Sequence, residues 1–118
     1  MARTFVGTPI YMSPQVLNQK NYTNKTDVWS LGVMFYELLF GKLPFSGFSE
    51  QDLYRNIMGR GLIIPENSSK ETQRILRGMM AVDEANRWGW NDVFDEFLGK
   101  GNRVRVHTPT QNGLFYGQ

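Results

Sequence analysis

The chain has 118 residues, of which 41% are hydrophobic, 20% charged and 14% aromatic, a globular composition with the length of one domain or part of one. Thirteen Lys and Arg against eleven Asp and Glu leave a net charge of +2, too small to argue for a nucleic-acid binder. There is no cysteine and His107 is the sole histidine, which excludes a disulfide scaffold, a thiolate nucleophile and any metal site built on cysteines or on two histidines. No apolar window is long enough to span a membrane, and Met1-Ala2-Arg3-Thr4-Phe5 lacks the apolar run of a signal peptide. The expectation is an intracellular, cytoplasmic protein with no membrane and no nucleic-acid partner.

In chain order, residues 1–17 carry Gly7, Pro9 and Pro14 and read as an ordered loop. Ser13 and Pro14 can open a short helix, as N-cap and first helical residue. Asp27 to Phe40 is a helix apolar on all sides, hence central and buried. Asp27 suits its N-terminus, Gly41 its C-terminal stop, and Pro44 bars continuation. A second helix runs from Ser49 to Met58, with Ser49 and Asp52 as a capping box, Leu53, Ile57 and Met58 as its stripe, and Gly59 and Gly61 as its stop. Leu62 to Pro65 is extended.

Ser68 and Glu71 predict the cap of a third helix with Ile75, Leu76, Met79 and Met80 facing inward. After a loop over residues 82–89, Trp90 to Leu98 is a fourth, with Val93, Phe94, Phe97 and Leu98 inward. Trp29, Trp88 and Trp90 read as core. Residues 99–118 hold Lys100, Arg103 and Arg105 without an acid and read as a disordered basic tail. Pattern alone therefore gives a mainly α domain of four or five helices behind a long ordered loop.

Four separated segments go further. Gly7-Thr8-Pro9-Ile10-Tyr11-Met12-Ser13-Pro14-Gln15 is followed by Asp27-Val28-Trp29-Ser30-Leu31-Gly32, then by Glu37-Leu38-Leu39-Phe40-Gly41-Lys42-Leu43-Pro44-Phe45, then by Asp83-Glu84-Ala85-Asn86-Arg87-Trp88. In this order and spacing they resemble the second half of the large lobe of serine/threonine protein kinases, over residues 1–98. The resemblance implies a partial kinase large lobe: the end of the activation segment, the central buried helix, then three further helices. It implies ATP-dependent phosphorylation of protein Ser and Thr by the full-length parent, with ATP and Mg²⁺ as that parent's cofactors. Of the family's signature segments only the counterpart of the Ala-Pro-Glu end of the activation loop is here; the glycine-rich loop, the strand lysine, the His-Arg-Asp loop and Asp-Phe-Gly are not. This chain alone is therefore expected to bind no nucleotide, to hold no catalytic residue and to be inactive. The alternative is a truncated kinase or pseudokinase fragment that only docks proteins, through the helices after Gly41.

The same resemblance assigns residues. Thr4 matches the activating phosphothreonine, against the plainer reading of a loop threonine. Gly7, Thr8, Pro9 and Tyr11 match the wall that receives the protein substrate. Thr8 also matches the threonine that bonds the catalytic aspartate and lysine. Glu37 matches an acid that in some kinases reads an arginine ahead of the phosphoacceptor, and is otherwise a surface carboxylate. Asp27 matches the aspartate that caps the catalytic loop, and Trp29 the helix's buried indole. Gln15 departs from the pattern, which has a glutamate paired with the buried arginine that Arg87 matches. Either the loop is then less firmly anchored or Arg87 has another acid, and Gln15→Glu tightens the loop if Arg87 lacks another partner. With no helices before it, the central helix is expected to leave one face bare.

Overall fold

The computed structural model describes residues 10–21 and 23–99. Its elements are α1 (Pro14–Leu17), α2 (Asn24–Phe40), α3 (Glu50–Arg60), α4 (Lys70–Met79), a 3-10 turn (Glu84–Asn86) and α5 (Trp90–Leu98). Among the described residues there is no strand. The reading of the tail from residue 100 onward lies outside the described residues.

Local signals decide most boundaries. Ser13 caps α1 by accepting from Val16 N, with Pro14 in the first turn. Gly41 ends α2 at φ 73° and donates its N–H to Glu37 O, a left-handed stop open to glycine at little cost. Ser49 caps α3.

Four expectations change. First, α2 begins one turn before Asp27. Thr23 is its N-cap, bonded to Lys25 N, while the Thr26 hydroxyl accepts from Thr23 N. A threonine pair thus does the capping work expected of Asp27. Second, α4 is capped by Ser69 rather than Ser68. The Ser69 hydroxyl accepts from Thr72 N, and Ser68 instead bonds back to Pro65 O. Third, α3 runs through Gly59 to Arg60 and stops at Gly61, with φ 73°. Met58 lies on its outer side, 52% exposed. Fourth, α5 buries only Val93; Phe97 and Leu98 are half exposed.

The core forms where α2 meets α3, α4 and α5. Val28, Trp29, Val33 and Tyr36 of α2 pack with Leu53 and Ile57 of α3, with Ile75, Leu76, Met79 and Met80 around α4, and with Phe45, Ile64 and Val93. Trp29 stacks on Phe45 at 6.1 Å between ring centroids. Tyr36 donates its hydroxyl to Ile63 O at 2.7 Å, tying the extended 62–65 segment to α2. An exposed fork of two bonds, Arg74 to Glu96 at 2.7 and 2.6 Å, clips α4 to α5.

The opposite side of α2 is open. Met34 (49%), Leu38 (83%) and Leu39 (45%) are exposed, and Leu31 and Phe35 are half-buried. From α5 Phe97 reaches round, edge-on to Phe35 at 6.0 Å.

Gly78 lets α4 lie flat on Trp88. A Cβ there would stand 2.1 Å from the indole ring, whose backbone N–H also bonds Gly78 O at 2.9 Å. Gly78→Ala is expected to lower stability by about 1–3 kcal/mol, the usual cost of overpacking. Urea unfolding checks this, and an unchanged midpoint is the contrary result.

Candidate functional site

Those of the residues singled out by sequence that are described lie along α2 and around the Arg87 guanidinium. Thr4, Gly7, Thr8 and Pro9 lie outside the described residues. Tyr11, which follows them, is pinned to α2 at two heights. Its backbone carbonyl is 2.6 Å from the Ser30 hydroxyl, which also reaches Thr26 O at 3.2 Å. Its phenol donates to Glu37 Oε1 at 2.8 Å. Ser30 and Glu37 are seven apart, two turns along one helix face, so Tyr11 lies along the helix from its carbonyl to its phenol. Tyr11 and Glu37, each assigned to substrate binding from sequence, are thus brought into direct contact.

This contact shapes both groups. The Glu37 carboxylate, by accepting the phenol's bond, holds the Tyr11 hydroxyl above its usual pKa, and burial and the carboxylate's charge add to the shift. Among the described residues Glu37 Oε2 makes no hydrogen bond, so one carboxylate oxygen remains for a cation. Asp27 is exposed, one turn inside α2.

Beneath α1 lies the Arg87 nest. Arg87 is 2% exposed and its guanidinium carbon sits 5.0 Å from the centre of the Trp29 ring. Its Nε donates to Ala81 O at 2.8 Å, Nη1 to Lys25 O at 3.0 Å, and Nη2 to Gln15 Oε1 at 2.6 Å and Val82 O at 3.2 Å. Every one of these acceptors is neutral. Burial lowers the pKa of Arg87, and the nearby charges of Glu84 and Asp83 oppose that. The Trp29 indole N–H is buried without an acceptor among the described residues. So Gln15, Trp29 and Arg87 do come together. Arg87 has partners, but they are three main-chain carbonyls and an amide rather than another acid.

Sequence reading missed the second clamp on α2. The Thr23 hydroxyl bonds the Glu84 carboxylate, and Lys25 Nζ reaches Glu84 O and Ala85 O at 3.2 and 3.4 Å. The turn-rich run from Asn18 to Lys25 held that signal only as unspecific polarity. Ser30 was also missed: a serine inside an apolar helix, next to a loop needing an anchor, was the available hint.

This arrangement, a turn pinned to a central helix through Tyr11 and followed by an α1 locked to a buried arginine, agrees with the sequence comparison. Residues 1–98 match the family described as Protein kinase domain. The chain belongs to the protein kinase family. It is 34% identical over 95 residues to the serine/threonine-protein kinase atg1 of Dictyostelium discoideum, covering 80% of this chain and 14% of that protein. It is 37% identical over 115 residues to serine/threonine-protein kinase 33 of Bos taurus, covering 93% of this chain and 24% of that one. With the human serine/threonine-protein kinase Sgk1 the identity is 36% over 93 residues, 79% of this chain and 22% of the relative. The chain thus spans between 14% and 24% of these three relatives' length. As a kinase-family chain, helical throughout its described elements, it fits a partial kinase large lobe.

Tyr11→Phe removes the bond to Glu37 and is expected to cost about 0.5–1.5 kcal/mol. The folded pKa of Tyr11 is raised, so the bond's contribution is whole below the unfolded value of about 10 and is lost as the pH rises through the folded one. A near-ultraviolet absorbance titration of wild type minus Tyr11→Phe is expected to show one tyrosine ionising above the ordinary range. A difference curve centred on the ordinary tyrosine value contradicts the assignment.

Proposed function

We propose that this chain is the substrate-receiving part of a serine/threonine protein kinase domain, acting in a longer protein that transfers the γ-phosphate of ATP to protein hydroxyls. The observation that carries the proposal is the Tyr11–Glu37 bond. It joins two residues that the family resemblance matches to substrate binding and holds Tyr11, the last of the Gly7-to-Tyr11 segment, against α2. Phosphoryl transfer rests on positioning and charge, and this chain's share is positioning. Gly7, Thr8, Pro9 and Tyr11 form the wall beside the phosphoacceptor, and Thr8 bonds the catalytic aspartate and lysine supplied elsewhere. Phosphorylation of Thr4 orders the wall through arginine contacts. Asp27, exposed on α2, caps the catalytic loop. Glu37 Oε2 reads a basic residue ahead of the acceptor.

ATP and Mg²⁺, implied for the whole protein, have no fitting donor set here: among the described residues no three carboxylate or histidine side chains gather to hold a cation. The residues described do not fit these groups.

A second reading, a module that docks proteins through the helices after Gly41, is supported by a cleft of about 710 Å³ between α1 and α3, lined by Leu17, Gln19, Tyr54 and Met58 among others. It does not use the Tyr11–Glu37 contact, and we rank it second.

In a full-length kinase containing this segment, Thr8→Val is expected to lower activity more than Thr4→Ala does, since Thr8 acts at the catalytic aspartate and Thr4 through loop order. Glu37→Gln is expected to raise KM about 5–10-fold, the size of one net hydrogen bond, for peptides with an arginine ahead of the acceptor. Peptides with alanine there keep their KM. Wild-type activity in Thr8→Val sinks the assignment of the wall, and equal KM changes for both peptides sink that of Glu37. The purified 118-residue chain with Mg-ATP and a generic protein substrate is expected to transfer no phosphate. Transfer that follows the chain through several columns overturns that expectation.

A further inference from the structure

Gln15 uses both ends of its side chain. Its Oε1 accepts from Arg87 Nη2 at 2.6 Å, and its Nε2 donates to Val82 O at 2.8 Å. Val82 O also accepts from the same Nη2 at 3.2 Å. Amide, guanidinium and carbonyl close a three-membered ring of bonds. The amide fits in one orientation only, because turning it over sets N–H against N–H at Arg87 and oxygen against oxygen at Val82.

A carboxylate does not fit this ring. Two-bond pairing of an arginine with a carboxylate needs two neighbouring N–H groups of the fork. Here Nε and Nη1 are committed to Ala81 O and Lys25 O, on either side of the one nitrogen that faces residue 15. A glutamate would gain a single charged bond and turn its second oxygen on Val82 O with no proton between them. It would also bring a second charge into a largely buried place, where desolvation opposes the Coulombic gain. The field around Arg87 already holds Asp83 and Glu84. Lys25 contributes its main-chain carbonyl, with its ammonium turned to the 3-10 turn. Lys20 and Tyr54 line the recess beside Gln15 with Asp83.

We infer that Gln15 is a positioning residue whose amide, as donor and acceptor at once, fastens α1 to the 81–87 segment, so that glutamine is the fitted residue of this nest and glutamate does not substitute for it. The inference concerns this chain whether or not the proposed kinase role holds. It also reverses the expectation that Gln15→Glu tightens the loop, since that expectation required an Arg87 without other partners.

The test compares wild type with Gln15→Glu and Gln15→Met by hydrogen exchange and mass spectrometry. It reads peptides covering residues 13–20 and 80–88, with residues 90–98 as control, from pH 7 down through the carboxylate range. At pH 7 both variants are expected to exchange roughly fivefold or more faster in the two linked peptides, the population factor of one net hydrogen bond, with the control unchanged. For Gln15→Glu alone the gap to wild type closes as the pH falls, because a protonated carboxyl regains a donor for Val82 O and a neutral acceptor for Arg87. Gln15→Met shows no such recovery, which separates the bridge from mere packing. Slower exchange or a higher melting temperature in Gln15→Glu at pH 7 overturns the inference, as does a Gln15→Met that matches wild type, or a gap that widens on acidification.

Discussion

One buried guanidinium sets the relative places of three stretches of chain. Arg87 takes acceptors from α1, from the first turn of α2 and from residues 81 and 82, and lies over the Trp29 indole. A charge that has left water must have its N–H groups occupied. Each of these partners therefore has little freedom to move without exposing a donor. Four of the five N–H groups are accounted for by bonds of 2.6–3.2 Å. Main-chain carbonyls supply most of them, which makes the nest a property of the fold as much as of any one side chain.

The two sides of α2 do different work. One side is the core, where Gly32 admits Met79 and Met80 to the helix backbone; a Cβ there would stand 2.6 Å from Met80 Cγ. The helix also carries the Ser30 hydroxyl in its first half and the Glu37 carboxylate in its last turn, which together hold Tyr11. Core packing fixes the helix's rotation, and that rotation fixes where Ser30 and Glu37 point. The geometry around Tyr11 is thus a consequence of the hydrophobic packing behind it.

Much of this was legible in the sequence, for identifiable reasons. Ser13-Pro14, Gly41 and Ser49 are strong local signals, and their elements end where the residues say. Gln15 and Arg87 were paired through the family resemblance rather than through periodicity, since a residue 72 positions from Arg87 carries no local trace of it; Trp29 was read only as core. The failures share a cause. At Thr23 and Ser69 several adjacent residues can cap, and other contacts decide: Thr23 is held by the distant Glu84, and Ser68 is taken up by a local turn onto Pro65. Met58, Phe97 and Leu98 were placed inward because apolarity alone says nothing about whether a neighbour exists to cover it. The neutral completion of the Arg87 nest was invisible because carbonyls of Lys25, Ala81 and Val82 have no signature in side-chain letters.

The α4–α5 clip has a further consequence. Val93 is the one residue that α5 buries fully, with Trp90 packed beside it on the core. The Arg74–Glu96 fork adds little, because Arg74 is half exposed and an exposed ion pair is weak and screened by salt. α5 can therefore open as a separate unit while the α2–α4 core stays closed. When it leaves, Phe35 loses the ring of Phe97, and the apolar area that water meets on α2 grows by an aromatic side chain.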